Sequence, residues 1–441
     1  MKKINTAPIS GMQELLPNLQ NEFNRFKNGF LTEFHAHGFQ SIETPMIDRT
    51  EILLAKAGGD TEKQIYKVVK TAEDTESADQ ALRFDHTVPL ARYVVEHESE
   101  LTFPFKVTQI GRNFRGERPQ KGRYREFYQC DIDVIGRNDL PIYYDAEVIA
   151  TLINAVQILP LSNLIIRISN RKLLGGLIEW LGLEEKSLDI FSIIDHAEKV
   201  PAEKTTASLY ELGITEENVV KITTFMNIAG SISEVKPKLM ALGCQNATFL
   251  AGVDELAEVM EILELKLGQT INDADGGFKV DVTADMLIVR GLDYYTGTVF
   301  ETFAANHREI GSLCSGGRYE NLASNYTDQK FPGVGGSIGL TRLFWILQNY
   351  QLVNLNTAKP IDICIIPFCS NDLAVAERLA QNLRKSGQKI DIIMTNKKLG
   401  DKLKHASKIA KFATVIGENE AKTGEYELKN LETGEKERHQ L

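Results

Sequence analysis

FRGERPQKGRYREFYQCDIDVIG, residues 114–136, is the most informative stretch of this chain. Its second half alternates apolar and polar residues, as does the segment 103–115, so an antiparallel pair of strands is predicted around a loop. Five basic residues lie within positions 115–125, and Arg112 precedes them. Guanidinium groups bind phosphate oxygens in bidentate fashion, and Phe127 and Tyr128 offer rings for stacking on a purine. The stretch therefore indicates a nucleotide site, with a solvated hairpin tip as the alternative.

Two further stretches contain an arginine in a setting that suits an anion. In VRGLDYYTGTVFE, residues 289–301, Arg290 follows an apolar strand; a structural pair with Asp293 is the alternative. In GVGGSIGLTRLFWIL, residues 333–347, Arg342 begins an apolar helix after glycines that permit close backbone approach, although glycine-rich turns before helices are common. Nucleotidyl transfer would use all three arginine sites, because its transition state spreads negative charge over phosphate oxygens.

Composition and missing motifs exclude several classes of protein. The sequence has no GxxxxGK[ST], no strand-associated GxGxxG and no HExxH, which disfavours P-loop, Rossmann and zinc sites. It has no apolar run of about 18 residues and no secretory signal pattern, so no membrane association is expected. Five scattered cysteines without metal spacing favour a reducing, cytoplasmic location. A net charge of −10 means that any nucleic-acid partner needs a locally basic surface.

Changes in patterning along the chain predict three domains. Residues 1–170 and 266–350 read as one α+β domain with a mainly antiparallel sheet, in which FQSIETPMID, residues 39–48, contains a strand that ends at Pro45. Residues 171–265 read as a helical insertion. Residues 358–441 alternate strand and helix, which predicts a small α/β domain with a largely parallel sheet. Between positions 384 and 411 this last domain has nine basic residues against two acidic ones, a local excess suited to RNA.

These motifs together resemble the histidyl-tRNA synthetase family of class II aminoacyl-tRNA synthetases, over essentially the whole chain. FQSIETPMID, residues 114–136 and GVGGSIGLTRL are similar to the three class II motifs, and RGLDYYTGTVFE resembles a histidine-specific signature. LRFDHTVPLARYV and CSGGRYENL also match segments of this family. The resemblance implies a six-stranded-type antiparallel core, a homodimer, a C-terminal anticodon-binding domain and attachment of L-histidine to tRNA(His). It also implies ATP as substrate with Mg²⁺, a histidyl-adenylate intermediate, no protein cage for a metal and no tightly bound organic cofactor.

Carried over onto this sequence, the resemblance also implies individual roles. Arg115, Arg290 and Arg342 would be catalytic. The residues implied to bind histidine are Asp85, Thr87, Arg115, Gln129, Asp133, Arg290, Tyr294 and Tyr295. Those implied to bind ATP are Arg115, Glu117, Arg123, Phe127 and Arg342. Asp85 and Asp133 stand where many bacterial members have Glu, whereas other branches have Asp.

Two alternatives use the same fold without this chemistry. One is an inactive relative that partners ATP phosphoribosyltransferase; such proteins usually lack the anticodon domain and lose motif arginines, which this chain retains. The other is an RNA-binding or stress-sensing module. Histidine-dependent exchange of pyrophosphate into ATP distinguishes all three.

Overall fold

The computed structural model describes residues 3–55, 62–71, 79–120, 122–161, 163–271, 279–289, 294–353 and 359–441. The chain divides into two compact units. The larger comprises Met1–Glu14 and Arg25–Leu352, and the smaller comprises Leu15–Asn24 and Val353–Leu441. Within the described residues, no helix is both long enough and apolar enough to cross a lipid bilayer.

The larger unit is built on a nine-stranded sheet, with a three-stranded sheet beside it. Its strands are β1 Gln40–Ser41, β2 Ile47–Arg49, β3 Lys67–Val68, β4 Gln80–Leu82, β5 Phe105–Phe114, β6 Glu126–Ile135, β7 Asn163–Asn170, β8 Ala229–Gly230, β9 Lys279–Asp285, β10 Thr298–Ala304, β11 Cys314–Tyr319 and β12 Gly333–Ile338. The large sheet has the order β1-β5-β6-β12-β11-β10-β7-β9-β8, and β2-β4-β3 form the small one. The central pairs β5/β6, β6/β12, β12/β11 and β11/β10 are all antiparallel.

Helices cover the large sheet and fill the segment between β7 and β9. They are α1 Pro17–Ala36, α2 Thr50–Leu54, α3 Thr87–Glu96, α4 Tyr143–Val156, α5 Arg171–Trp180, α6 Ser187–His196, α7 Ala202–Glu211, α8 Glu216–Met226, α9 Ile232–Ala241, α10 Ala247–Ile271 and α11 Leu340–Asn349. The residue before several of these helices caps the first turn; the Asn170 side chain, for example, accepts from the Lys172 amide at the start of α5. The core buries Cys130, Ile132 and Val134 of β6 completely, which leaves the opposite face of this strand for polar residues.

The smaller unit contains a five-stranded sheet in the order β14-β13-β15-β16-β17. Its elements are β13 Ile361–Pro367, α12 Leu373–Lys385, β14 Ile390–Ile392, α13 Leu399–Ile409, β15 Ala410–Ile416, α14 Glu418–Thr423, β16 Glu425–Asn430 and β17 Lys436–Gln440. The pairs β13/β14 and β13/β15 are parallel, because helices provide the crossover connections, and the final hairpin is antiparallel.

The predicted fold class is confirmed, with two corrections. The sheet has nine strands rather than six, and β7/β9 and β1/β5 pair in parallel. A parallel pair needs a long crossover, and the helices α5–α10 supply one between β7 and β9. The strand predicted to end at Pro45 corresponds to the short β1, and the residues after Pro45 begin a separate strand, β2, in the small sheet.

Candidate active site

A polar cavity of about 240 Å³ lies on the open face of the large sheet. We call it the acidic cavity, because four carboxylates line it. Its polar and aromatic walls are formed by Asp85, Thr87, Arg115, Gln129, Asp131, Asp133, Tyr294, Tyr295, Glu301, Ser315, Tyr319 and Ser337. Strands β6, β11 and β12 provide its floor and helix α3 begins at its rim.

Strand periodicity places three polar side chains of β6 in this cavity. Gln129, Asp131 and Asp133 are two residues apart, so they share the face opposite the buried core. Gln129 is held at both ends, accepting from Asn113 Nδ2 at 2.7 Å and donating to Ser337 Oγ at 2.7 Å. The amide is therefore positioned before any ligand arrives.

Asp133 has an environment that favours its neutral form. It is 3% exposed, and its Oδ1 accepts a hydrogen bond from the Tyr319 hydroxyl. Burial, reinforced by the carboxylates of Asp131 and Asp85, raises the pKa of Asp133 to about 8, although the Tyr319 hydrogen bond opposes this shift. A Cβ atom on Gly335 would lie 2.0 Å from Asp133 Oδ1, so this neighbouring position of β12 accommodates only glycine.

Two tyrosines line the same cavity beside Asp133. The rings of Tyr294 and Tyr295 meet edge to face with centroids 5.0 Å apart, and Tyr294 packs similarly against Tyr319. Burial raises the pKa of both Tyr294 and Tyr295, so their hydroxyls stay protonated. A carboxyl group and phenols thus lie together in a buried pocket, where each can donate or accept.

Asp85 forms a second acidic site at the start of α3. Its Oδ1 accepts from the Val88 amide at 3.0 Å, which fixes the carboxylate at the helix N-terminus. Burial raises the pKa of Asp85, while that hydrogen bond and the nearby Arg115 guanidinium oppose the rise. Thr87, the first residue of α3, lines the cavity next to it.

A second cavity, of about 410 Å³, adjoins the acidic cavity. It is lined by most of the arginines that the sequence indicates as site residues. We call it the guanidinium cavity. Its walls include Arg115, Glu117, Arg123, Phe127, Glu301, Gly311 and Arg342. Burial and the neighbouring Arg123 both lower the pKa of Arg342, whereas Glu117 and Glu301 raise it. Two guanidinium groups this close gain stability from an additional anion.

Arg115 belongs to both cavities. Its guanidinium lies 4.2 Å from the ring centroid of Phe84 and 5.0 Å from that of Phe127, so two aromatic faces hold it. Arg342 depends on a glycine for its position, because a Cβ on Gly311, whose φ is +80°, would lie 2.5 Å from Arg342 Nη2. Glu117 and Arg123 pair at 3.5 Å within the loop after β5.

The structure brings together eleven of the twelve site residues that the sequence indicates. Those implied to bind histidine line the acidic cavity, and those implied to bind ATP line the guanidinium cavity. Arg290 lies outside the described residues. The sequence reasoning missed Asp131, Tyr319 and Ser337; the alternation in β6 could have found Asp131, but pairing between distant strands places the other two.

Two family models match most of the chain. A family model described as histidyl-tRNA synthetase matches residues 11–343, and one described as an anticodon binding domain matches residues 362–441. The chain belongs to the histidyl-tRNA synthetase family. This family charges tRNA(His) with histidine at the expense of ATP, through the adenylate intermediate general to class II enzymes.

Individual relatives match along the entire chain. A histidine–tRNA ligase from Clostridium tetani is 42% identical over 440 residues, which covers 99% of this chain and 97% of the relative. The crystal structure of histidyl-tRNA synthetase from a Nostoc species superposes with a TM-score of 0.83 at 34% identity, covering 99% of this chain and 97% of that one. A Bacillus halodurans protein, described as an ATP phosphoribosyltransferase regulatory subunit/histidyl-tRNA synthetase, has a TM-score of 0.77 at 20% identity, with coverage of 94% and 99%. This last likeness shows a shared fold only.

Proposed function

We propose that the acidic cavity binds L-histidine and the guanidinium cavity binds ATP, so that the two substrates meet at Arg115. The supporting observation is that the two cavities share five lining residues: Arg115, Gln129, Glu301, Ser315 and Ser337. A histidine carboxylate at this shared wall lies next to a phosphate group in the guanidinium cavity. Arg115, positioned by Phe84 and Phe127, binds both anions.

The buried end of the acidic cavity receives the imidazole ring. A neutral imidazole has one donor and one acceptor nitrogen, which Asp133 and the phenols of Tyr294 and Tyr295 satisfy. A side chain without matching nitrogens would leave these buried groups unpaired, which costs several orders of magnitude in specificity. Asp85, Thr87 and Gln129 bind the α-amino group near the cavity rim.

The guanidinium cavity receives the nucleotide. Phe127 stacks on adenine, Arg342 binds the γ-phosphate, and Glu117 with Arg123 contacts the adenine side and the triphosphate. ATP enters with Mg²⁺; carboxylate oxygens suit this ion, and Glu117 and Glu301 line the cavity. The described residues contain no cluster of three or more metal-ligating side chains; Glu117 and Glu301 would be the carboxylates nearest to the ion, which would supply positive charge to the phosphates.

Catalysis then consists of positioning and charge stabilisation. A histidine carboxylate oxygen attacks the α-phosphorus in line and pyrophosphate leaves, which gives histidyl-adenylate. The terminal ribose 3′-hydroxyl of the tRNA attacks the activated carbonyl, and AMP leaves. Arg115 and Arg342 neutralise developing charge on the phosphates, and Arg290 has the same role at the α-phosphate.

The other parts of the chain serve the tRNA. The division into catalytic core (residues 1–170 and 266–350), helical insertion (171–265) and anticodon-binding domain (358–441) assigns activation to the first and anticodon contacts to the last. A homodimer and a cytoplasmic location complete the proposal; the five free, unbridged cysteines suit a reducing compartment.

Amino-acid-dependent exchange of labelled pyrophosphate into ATP tests this function. Purified protein is assayed with each of the twenty amino acids, and exchange is expected with histidine alone. Exchange driven equally by another amino acid, or none with histidine, contradicts the proposal.

A further inference from the structure

A buried His–Asp pair lies directly behind the acidic cavity. His86 Nδ1 and Asp131 Oδ2 are 2.8 Å apart, and the residues are 0% and 4% exposed. A carboxylate oxygen accepts hydrogen bonds, so in this pair His86 Nδ1–H donates a hydrogen bond to Asp131 Oδ2. This hydrogen bond fixes the orientation of the carboxylate, so one oxygen faces His86.

The other oxygen of Asp131 has no partner. Asp131 Oδ1 is buried and makes no hydrogen bond to the residues that the structure describes, although Asp131 lines the acidic cavity. A buried carboxylate oxygen without a donor is costly, and such groups in native proteins usually await a ligand or a water molecule. Asp131 Oδ1 is therefore available to accept a hydrogen bond from a ligand, so the role of Asp131 extends beyond its structural pair with His86.

His86 is buried beside Gly111, in space that this glycine leaves open. A Cβ on Gly111 would lie 3.1 Å from His86 Nε2 and 2.5 Å from Arg83 Nη2, so both side chains occupy the space that this glycine leaves. Arg83 is itself buried and donates to the carbonyl oxygens of Thr44 and Arg112. The cation of Arg83 also lowers the cost of an ionised Asp131 nearby.

The charges in the cavity indicate which part of histidine this oxygen meets. Near neutral pH the imidazole is largely uncharged and the α-ammonium is the cationic group of the amino acid. Asp131 lies on β6 between Gln129 and Asp133, and the Asp85 and Arg115 side chains interact with it electrostatically. Its charge also helps to keep Asp133 protonated for the imidazole, so the two aspartates have different tasks.

We propose that Asp131 Oδ1 binds the α-ammonium group of histidine and that His86 is the positioning residue that orients it. The inference rests on the proposed function, since it adds a ligand to the histidine site. Asp131 then complements Asp85 at the amino group, whereas Arg115 takes the carboxylate of the same zwitterion.

Substrate analogues and Asp131→Asn test the first part. The variant is expected to raise the KM for histidine in pyrophosphate exchange, and the Ki of histidinol, by about tenfold or more, with the KM for ATP unchanged within about twofold. The Ki of imidazolepropionate, which lacks the amino group, should stay within about twofold. Asp254→Asn, an exposed carboxylate of α10, is the matched control. An unchanged KM for histidine, or parallel weakening of both inhibitors, overturns the proposal.

Two variants of His86 test its positioning role and serve also if Asp131→Asn does not fold. His86→Leu removes the donor and should raise the KM for histidine about tenfold, whereas His86→Asn keeps an N–H group and should restore it to within about threefold of wild type. The positioning role of His86 is overturned if wild type and His86→Leu have equal KM values for histidine, or if His86→Asn does not restore the KM. Wild-type protein without histidine-dependent exchange overturns the proposed function; wild-type exchange with unaffected variants overturns this inference alone.

Discussion

The Tyr319 hydroxyl donates a hydrogen bond of 2.8 Å to Asp133 Oδ1 at the floor of the acidic cavity. These residues lie on β11 and β6, which are not neighbours, because β12 runs between them. Gly335 of β12 lacks a side chain at this point and lets the bond form across the intervening strand. The carboxyl group that lines the cavity is therefore held by a residue 186 positions away in sequence.

The affinity for histidine is expected to depend on pH in a bell-shaped manner, so that the KM for histidine rises at both low and high pH. In the free enzyme Asp133 carries a proton up to about pH 8, and free histidine loses its imidazole proton near pH 6.5. In the complex, one proton is shared between Asp133 and the imidazole of histidine. The affinity for histidine therefore falls below about pH 6.5, where binding must release a proton, and above about pH 8, where binding must take one up. Asp133→Asn should abolish the alkaline limb near pH 8. A KM that stays constant from pH 6 to 9 in the wild type would refute this assignment.

Arg342→Ala is expected to weaken the binding of ATP more than the binding of histidine. The KM for ATP in pyrophosphate exchange should rise about tenfold or more, because a charge-assisted contact to a phosphate is lost, and the KM for histidine should change far less. Arg378→Ala, an exposed arginine of α12, provides the control and should leave both values unchanged. Equal effects on the two substrates would remove Arg342 from the nucleotide site.

Arg290→Ala is expected to slow adenylate formation by more than about a hundredfold, a loss comparable to removing one transition-state donor. Single-turnover formation of histidyl-adenylate measures this step directly. Arg290→Lys, which keeps the charge but not the bidentate geometry, should recover only part of the rate. Near wild-type exchange by Arg290→Ala would exclude Arg290 from the mechanism.

Glu147 is expected to anchor α10 and β5 to the core. Its carboxylate accepts from Lys106 at 2.8 Å and from Lys266 at 2.6 Å, and its hydrogen bonds to His37 and both lysines hold its pKa well below the usual range. A lowered pKa adds stability above about pH 4.3 that is lost as the pH falls. Glu147→Gln should therefore cost about 1–3 kcal/mol at pH 7 and less near pH 3.

Urea unfolding at the two pH values measures this effect. Glu217→Gln removes an exposed pair with Lys221 on one helix, and should lower the stability much less than Glu147→Gln does. If the two variants lose similar free energies of unfolding, Glu147 does not hold α10 and β5 to the core.

Lysines on α13 are expected to contribute to tRNA binding but not to histidine activation. Lys404 and Lys408 are exposed on this helix, within the basic segment 384–411. Reversing both charges should raise the KM for tRNA in aminoacylation by at least about fivefold and weaken its salt dependence. The same reversal at Lys422 and Lys436, which pair with neighbouring glutamates, is the control. Pyrophosphate exchange should not change in either variant, and unaltered aminoacylation by the first would contradict the assignment.

Local pattern and long-range pairing differ in how far the sequence predicts them. The strands β5 and β6 and the helices after residue 170 follow from periodicity within one segment, because the burial of each face repeats along the chain. The parallel pairing of β7 with β9 does not, since it depends on a crossover of more than a hundred residues. The antiparallel hairpin of β16 and β17 is local, but the alternation of strand and helix in this domain did not indicate it.

The candidate site also contains some residues that a local pattern predicts and others that only pairing between distant strands brings in. Arg115 and Phe127 are found from the basic loop and the aromatic residues beside it, because both lie in one hairpin. Asp85, Asp133 and the tyrosines are indicated by family resemblance rather than by pattern. Asp131, Tyr319 and Ser337 join the cavity through strand pairing, and the orientation of Asp131 depends on His86, which no local motif predicts.

A crystal structure of the protein with L-histidine and a non-hydrolysable ATP analogue would show whether the two substrates meet at Arg115. We expect the imidazole against Asp133 and the tyrosines, the amino-acid carboxylate at Arg115, and the triphosphate beside Arg342. A structure in which Arg115 and Arg342 point away from the ligands, or in which the imidazole lies outside the acidic cavity, would contradict the account.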